Sequence, residues 1–213
     1  MSHSHIPLRA SATVYAVCYF VALFLPRLPE GAYSDDQVSA LFGDPAERTP
    51  SIIGGYALSI AALAFLVFIS LFMRALAPDR TALTGTVRVA GTAYAAMLML
   101  AAVLFCSLPM GVAIGELPTD TDPTVYRTLS NAGFYALLVP GLLAAAVVLV
   151  ASSLELRRRQ EVPRWAAVLG LVLAPLLLLG VAWVPQFLVP LWAVAVAHAT
   201  AQLAPARETV ALT

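Results

Sequence analysis

Few side chains in this 213-residue chain are equipped to do chemistry, and three groups stand out by type and spacing. Arg127, Asn131 and Tyr135 recur every fourth position, which sets a guanidinium, an amide and a phenol on one face of a helix. Tyr56, Glu116 and Gln186 fall near the same boundary of the predicted membrane segments. Together these residues could line an outward-facing polar pocket that holds a small ligand, with Glu116 and Arg127 pairing across one loop. His198 and Gln202 lie one turn apart on the last apolar segment. An ionisable group inside a membrane is a functional candidate by default, so this pair reads as a proton or polar relay. His3 and His5 could grip a metal weakly, yet no acid or thiol joins them, so neither a metal nor another cofactor is expected.

The missing residue types exclude more than the present ones suggest. All 12 cations are Arg, and Lys does not occur. A retinal-type Schiff base needs a lysine amine, and a Walker-type phosphate loop needs the Lys of its motif. There is no His-rich di-iron box, no His-Glu-x-x-His, no Gly-x-Ser-x-Gly and no pair of acids inside an apolar run. No catalytic machinery is therefore expected. Cys18 and Cys106 fall at different depths, about 13 and 27 Å from the inner charged end of their helices. Bridged Cα atoms lie within about 7 Å, so both cysteines read as small apolar fillers.

Hydrophobic residues make up 61% of the chain and charged residues 11%. The mean hydropathy is +0.86. Soluble domains carry about a quarter charged residues. Zero net charge also argues against nucleic acid as a partner. The elements that position the polar groups must then be membrane helices. Uncharged runs cover 10–26, 52–73, 89–115, 128–154 and 165–206. A span needs about 20 apolar residues. The last run is about 63 Å long as one helix, twice the hydrocarbon thickness, and divides at Val184-Pro185-Gln186. The expected fold is all-α: a single polytopic bundle of six helices over about 9–26, 52–73, 89–114, 128–154, 165–183 and 186–204. Five spans, with the last segment lying in or re-entering the membrane, is the alternative.

Arginine sets the orientation. With the N-terminus inside, nine arginines face the cytoplasm and three (Arg27, Arg48, Arg127) face out, as the positive-inside rule requires. Both termini are then cytoplasmic. The outer loop 27–51 carries Ser34-Asp35-Asp36-Gln37, a capping box, followed by Val38, Leu41 and Phe42 at i, i+3, i+4. It predicts a short amphipathic helix over about 35–42 that caps the bundle. Asp122-Pro123, as N-cap and first helical residue, predicts that the fourth helix begins outside the membrane and carries Arg127 on its first turns. Ser11, Tyr15, Cys18 and Tyr19 form a polar stripe on the first span, which should face the interior.

Three local patterns recur in a known group of proteins. The acidic loop runs from Ser34-Asp35-Asp36-Gln37-Val38 into Gly54-Gly55-Tyr56; an arginine-rich segment leads from Arg157 to Trp165; Leu191-Trp192 opens the last helix. In these the chain resembles multi-pass membrane proteins of high-GC Gram-positive bacteria that have no assigned activity. The resemblance implies a compact helical bundle in the bacterial plasma membrane and supplies no catalytic residues. A structural, accessory or sensory membrane component is expected, with the lipid bilayer, a membrane protein or a second copy as partner. A small transporter or ligand-binding protein using the outward pocket is the alternative.

Overall fold

The computed structural model describes residues 6–26, 34–76, 81–158, 162–179 and 184–201. His3, His5, Arg27 and Gln202 lie outside these residues, and so do the side chains of Leu41 and Phe42. The described chain is helical: α1 (Ile6–Phe24), α2 (Asp35–Gly43), α3 (Pro45–Leu76), α4 (Ala82–Ala113), α5 (Pro123–Ala136), α6 (Leu142–Arg158), α7 (Arg164–Leu177) and α8 (Leu188–Ala201). A π-helical turn, Leu137–Gly141, joins α5 to α6 without a break. Pro140 lacks an N–H, and the Leu142 N–H reaches back to Leu137 O, five residues away, so the extra residue absorbs the missing donor.

Among the described residues, four helices are long and apolar enough to cross a membrane: Ile6–Phe24, Pro45–Leu76, Ala82–Ala113 and the continuous Pro123–Arg158. Arg164–Leu177 and Val184–Thr200 are apolar but shorter. The fifth predicted span extends to residue 183, yet its α-helix stops at Leu177. There the N–H groups of Leu178 and Leu179 bond the carbonyls of Pro175 and Leu176, three residues earlier, which tightens the last turn. The predicted sixth span begins with a 3-10 turn, Val184–Phe187, before α8.

The long axis of the bundle follows from antiparallel contacts. Tyr15 meets Phe65 and Pro26 lies against Gly54, so α1 and α3 run oppositely. Cys106 abuts Gly55, and Ile69 faces Gly91. Met97 faces Gly141, and Thr81 bonds Glu155. Six elements pack in a ring, α1–α3–α4–α6–α7–α8, which closes between α8 and α1. Arg9, Arg74, Arg88, Arg157, Arg158 and Arg164 therefore gather at one end. Arg48 and Arg127 lie at the other, which α2 covers and which is called here the lid end.

The bundle is apolar on both faces. Val14, Val17 and Val21 on α1, Ile60, Leu63 and Val67 on α3, and Val168 and Val172 on α7 are exposed at helical spacing. A soluble protein rarely shows apolar patches of that extent. The inner faces carry Ala, Phe and Tyr. Tyr15, Phe65, Phe68, Phe72, Leu98 and Trp192 are fully buried. Helices approach closely where small residues allow it: any side chain at Gly54 or Gly55 would meet Pro26 or Cys106.

Candidate functional site

Three of the four residues in the polar stripe of α1 face inward, and Cys18 is half-buried. Ser11, Tyr15 and Tyr19 are buried, and Ser11 satisfies its hydroxyl on Leu8 O at 3.0 Å. The Tyr15 hydroxyl lies 2.8 Å from that of Tyr94 on α4. Tyr19 donates to Gln186 Oε1 at 3.2 Å, and Tyr94 is also hydrogen bonded to Tyr19. Each phenol has one proton. The bonds link Tyr15, Tyr94, Tyr19 and Gln186 across α1, α4 and the turn before α8. Phe65 wedges between Tyr15 and Tyr94, with ring centroids 5.0 and 4.9 Å away. Gln186 Nε2 is buried with no hydrogen-bond partner among the described residues. Phenols are uncharged at neutral pH. The chain of hydroxyls can orient dipoles and fix helix registry, and it holds no group that ionises readily.

The pocket expected from the sequence is not assembled. Tyr56 and Tyr135 are 60% and 63% exposed on the outer surface, and Asn131 is exposed too. Gln186 is 0% exposed and lies across the bundle against α1. The inward face of α5 is Tyr126, Ser130, Gly133 and Ala136, which turns Asn131 and Tyr135 the other way. Glu116 is exposed beyond α4 and is not the partner of Arg127. Arg127 Nη1 instead meets Asp35 Oδ1 of α2 at 2.5 Å. The relay fares likewise: His198 is exposed, and its Nδ1 sits 2.9 Å from Val194 O on its own helix. Gln202 lies outside the described residues.

At the lid end, among the described side chains, Val38 and the Asp35–Arg127 ion pair hold α2 to the bundle. Ser34 and Gln37 form the capping box that starts it. Val38 is 0% exposed and packs on Leu108 and Val112 of α4 and Tyr126 of α5. The Tyr126 hydroxyl is in turn hydrogen bonded to Ser51 of α3, so three helices meet beneath the lid. Asp122 caps α5, and the Thr124 backbone N–H holds its carboxylate below the usual range.

Two further features lay beyond the sequence reading. Glu155, placed outside the spans because it follows their last apolar residue, is 2% exposed on α6. It accepts from Thr81 Oγ1 at 3.5 Å and lies 3.8 Å from Arg158 Nη1. Nearby, Ser152 Oγ, Ser153 Oγ and Trp192 Nε1 are buried without hydrogen-bond partners among the described residues. The second feature is a groove of about 530 Å³ on the outer face of α6, walled by α4 and α7. No group of three or more potential metal ligands occurs among the described residues.

No family model matches the chain, and no curated protein or solved structure is significantly similar to it.

Proposed function

We propose that this chain is a six-span integral protein of the bacterial plasma membrane, both termini cytoplasmic, that serves as a structural, accessory or sensory component rather than as a transporter or enzyme. It is one of the multi-pass proteins of high-GC Gram-positive bacteria that it resembles. Arginine asymmetry supports the orientation: among the described residues six arginines lie at one end and two at the other. Phe187 supports the count of spans. It stacks on Phe20 and Phe24, centroids 5.7 and 5.3 Å away, so the α7–α8 connection reaches the last turn of α1.

One observation carries the functional reading. The centre of the ring is filled by side chains in contact with one another, from Phe72 and Trp192 through Phe68 and Phe65 to Tyr15 and Tyr94. Transporters place their sites near the bilayer midplane at broken helices that line a cavity. Here the midplane carries interlocked rings and hydroxyls already bonded to each other.

Reconstitution in vesicles under a potassium or proton gradient tests the reading. The expected result is a leak no greater than that of protein-free vesicles. A protein-dependent flux of ions or of small solutes would overturn it. Fusion of a reporter after Thr213 tests the topology: a cytoplasmic signal is expected, and an extracytoplasmic one would refute six spans.

A further inference from the structure

We infer that the groove on α6 is a binding site for one acyl chain of an anionic phospholipid, with the phosphate held at Arg157 and Arg158. The inference requires the bundle to sit in lipid and is independent of the accessory role. Along α6, Leu143, Val147, Val150 and Leu154 are exposed and floor the groove. They span about 16 Å of helix at 1.5 Å per residue. Pro175 of α7 and Thr86 of α4 stand on its two walls. Thr86 is the one polar residue of the lining, and its hydroxyl is turned back onto Ala82 O at 3.0 Å. The groove therefore offers hydrocarbon and no hydrogen bond.

Charge identifies the occupant. At 100° per residue, Arg157 and Arg158 fall three and four positions beyond Leu154, one on each side of the stripe. Both are exposed. The Arg158 side chain is 64% exposed despite its loose pair with Glu155. An apolar trough ending in two guanidiniums has the polarity of an anionic lipid lying along the helix. A second copy of the chain fits less well. A twofold pair on this face would set its own arginines against each other, and the floor is Leu and Val where close helix pairs use Gly, Ala or Ser.

The test uses the full chain purified in detergent, with phosphatidylglycerol or phosphatidylcholine added and bound lipids counted by native mass spectrometry. Phosphatidylglycerol should be retained in preference. R157Q/R158Q should lower that preference roughly tenfold, since each basic residue at an anionic surface is worth about fivefold and Arg158 is partly engaged already. V150W keeps both cations and fills the trough, so it should displace the lipid altogether. Equal retention of the two lipids, or a preference untouched by both variants, would overturn the site. So would a dimer that V150W dissociates with no dependence on lipid, which would assign the face to a second copy. A chain that holds no lipid and stays monodisperse without detergent would overturn the membrane reading itself.

Discussion

A methyl group at position 170 is a sharp test of the core packing. A Cβ there would overlap Ser153 Oγ and lie 3.1 Å from both Leu149 O and Trp192 Nε1. Leu149 O belongs to the backbone of α6. Trp192 is 0% exposed and held edge-on to Phe68 and Phe72, with centroids 6.1 and 6.2 Å away. Neither can retreat, so the strain falls on Ser153. Overpacking of this kind costs about 1–3 kcal/mol, and replacing a helical glycine returns about 1 kcal/mol. Gly170→Ala should therefore destabilise by about 1 kcal/mol, or about 2–4 °C in Tm for a chain of this size. Ser153→Ala removes the overlapping oxygen, which is buried without a partner among the described residues. Alone it should be neutral or stabilising, because no hydrogen bond is lost. In the Ser153→Ala background, Gly170→Ala should then become neutral, a coupling of about 1 kcal/mol in the double-mutant cycle. Thermal unfolding in micelles, followed by circular dichroism, measures all four proteins. Equal shifts in both backgrounds would refute the close approach of α6 and α7 at this point.

Tyr19→Phe strips Gln186 Oε1 of its donor and should cost about 1–3 kcal/mol by the same unfolding assay, whereas Tyr56→Phe on the surface should stay within about 0.5 kcal/mol. At the lid end, Val38→Ser removes at least about 1.5 kcal/mol of burial and should speed amide exchange throughout 35–43. Asp35→Asn should do so only slightly, since the Asp35 and Arg127 side chains are 75% and 28% exposed and the pair is screened by water. Asp122 is depressed in the folded state, so its capping contribution is present above the unfolded carboxylate range, near pH 4, and is lost as pH falls through the lower folded value. Exchange at the first turn of α5 should rise on acidification, and Asp122→Asn should make it independent of pH.

What could be read in the chain and what could not divide along physical lines. Hydropathy and arginine placement are local properties, so the apolar runs and the sorting of charge were visible before any coordinate. The inward stripe of Tyr15 and Tyr19 was visible too, because a hydroxyl in lipid must find a partner. Tyr94 carried no such signal, since a lone tyrosine in an alanine-rich run has no periodic companion. Spacing placed Arg127, Asn131 and Tyr135 on adjacent turns but could not say which side of α5 packs. Gly133 and Ala136, the small residues that let α5 approach α4, decide that. The partner of Arg127 was out of reach for a different reason: Asp35 is 92 positions away, while the nearer acid Glu116 sits past the helix end. Pro175 reads in the sequence as a kink within a long span. The α-helix instead ends two residues later, where Leu178 and Leu179 bond carbonyls three residues back rather than four.

The side chain–side chain bonds follow a pattern that bears on how the bundle specifies itself. Tyr15–Tyr94 joins α1 to α4, Tyr19–Gln186 joins α1 to the turn before α8, Thr81–Glu155 joins the segment before α4 to α6, and Asp35–Arg127 joins α2 to α5. Thr81–Glu155 links neighbours in the chain, since α5 and α6 form one continuous helix after α4; the other three pairs are not consecutive. Consecutive helices of the ring meet chiefly at small residues, as at Gly54, Gly55 and Gly170. In lipid, burying apolar surface does not favour one helix neighbour over another, because the tails are as apolar as leucine. Short loops already hold consecutive helices together, so van der Waals contact is enough for them. Pairs that no loop constrains have many alternatives of equal oiliness, and a polar bond left unmade in hydrocarbon penalises each wrong one. The tyrosine chain therefore acts chiefly as a registry device: it makes the closure of α8 onto α1, across the longest separation in the ring, the arrangement in which these hydroxyls are paired.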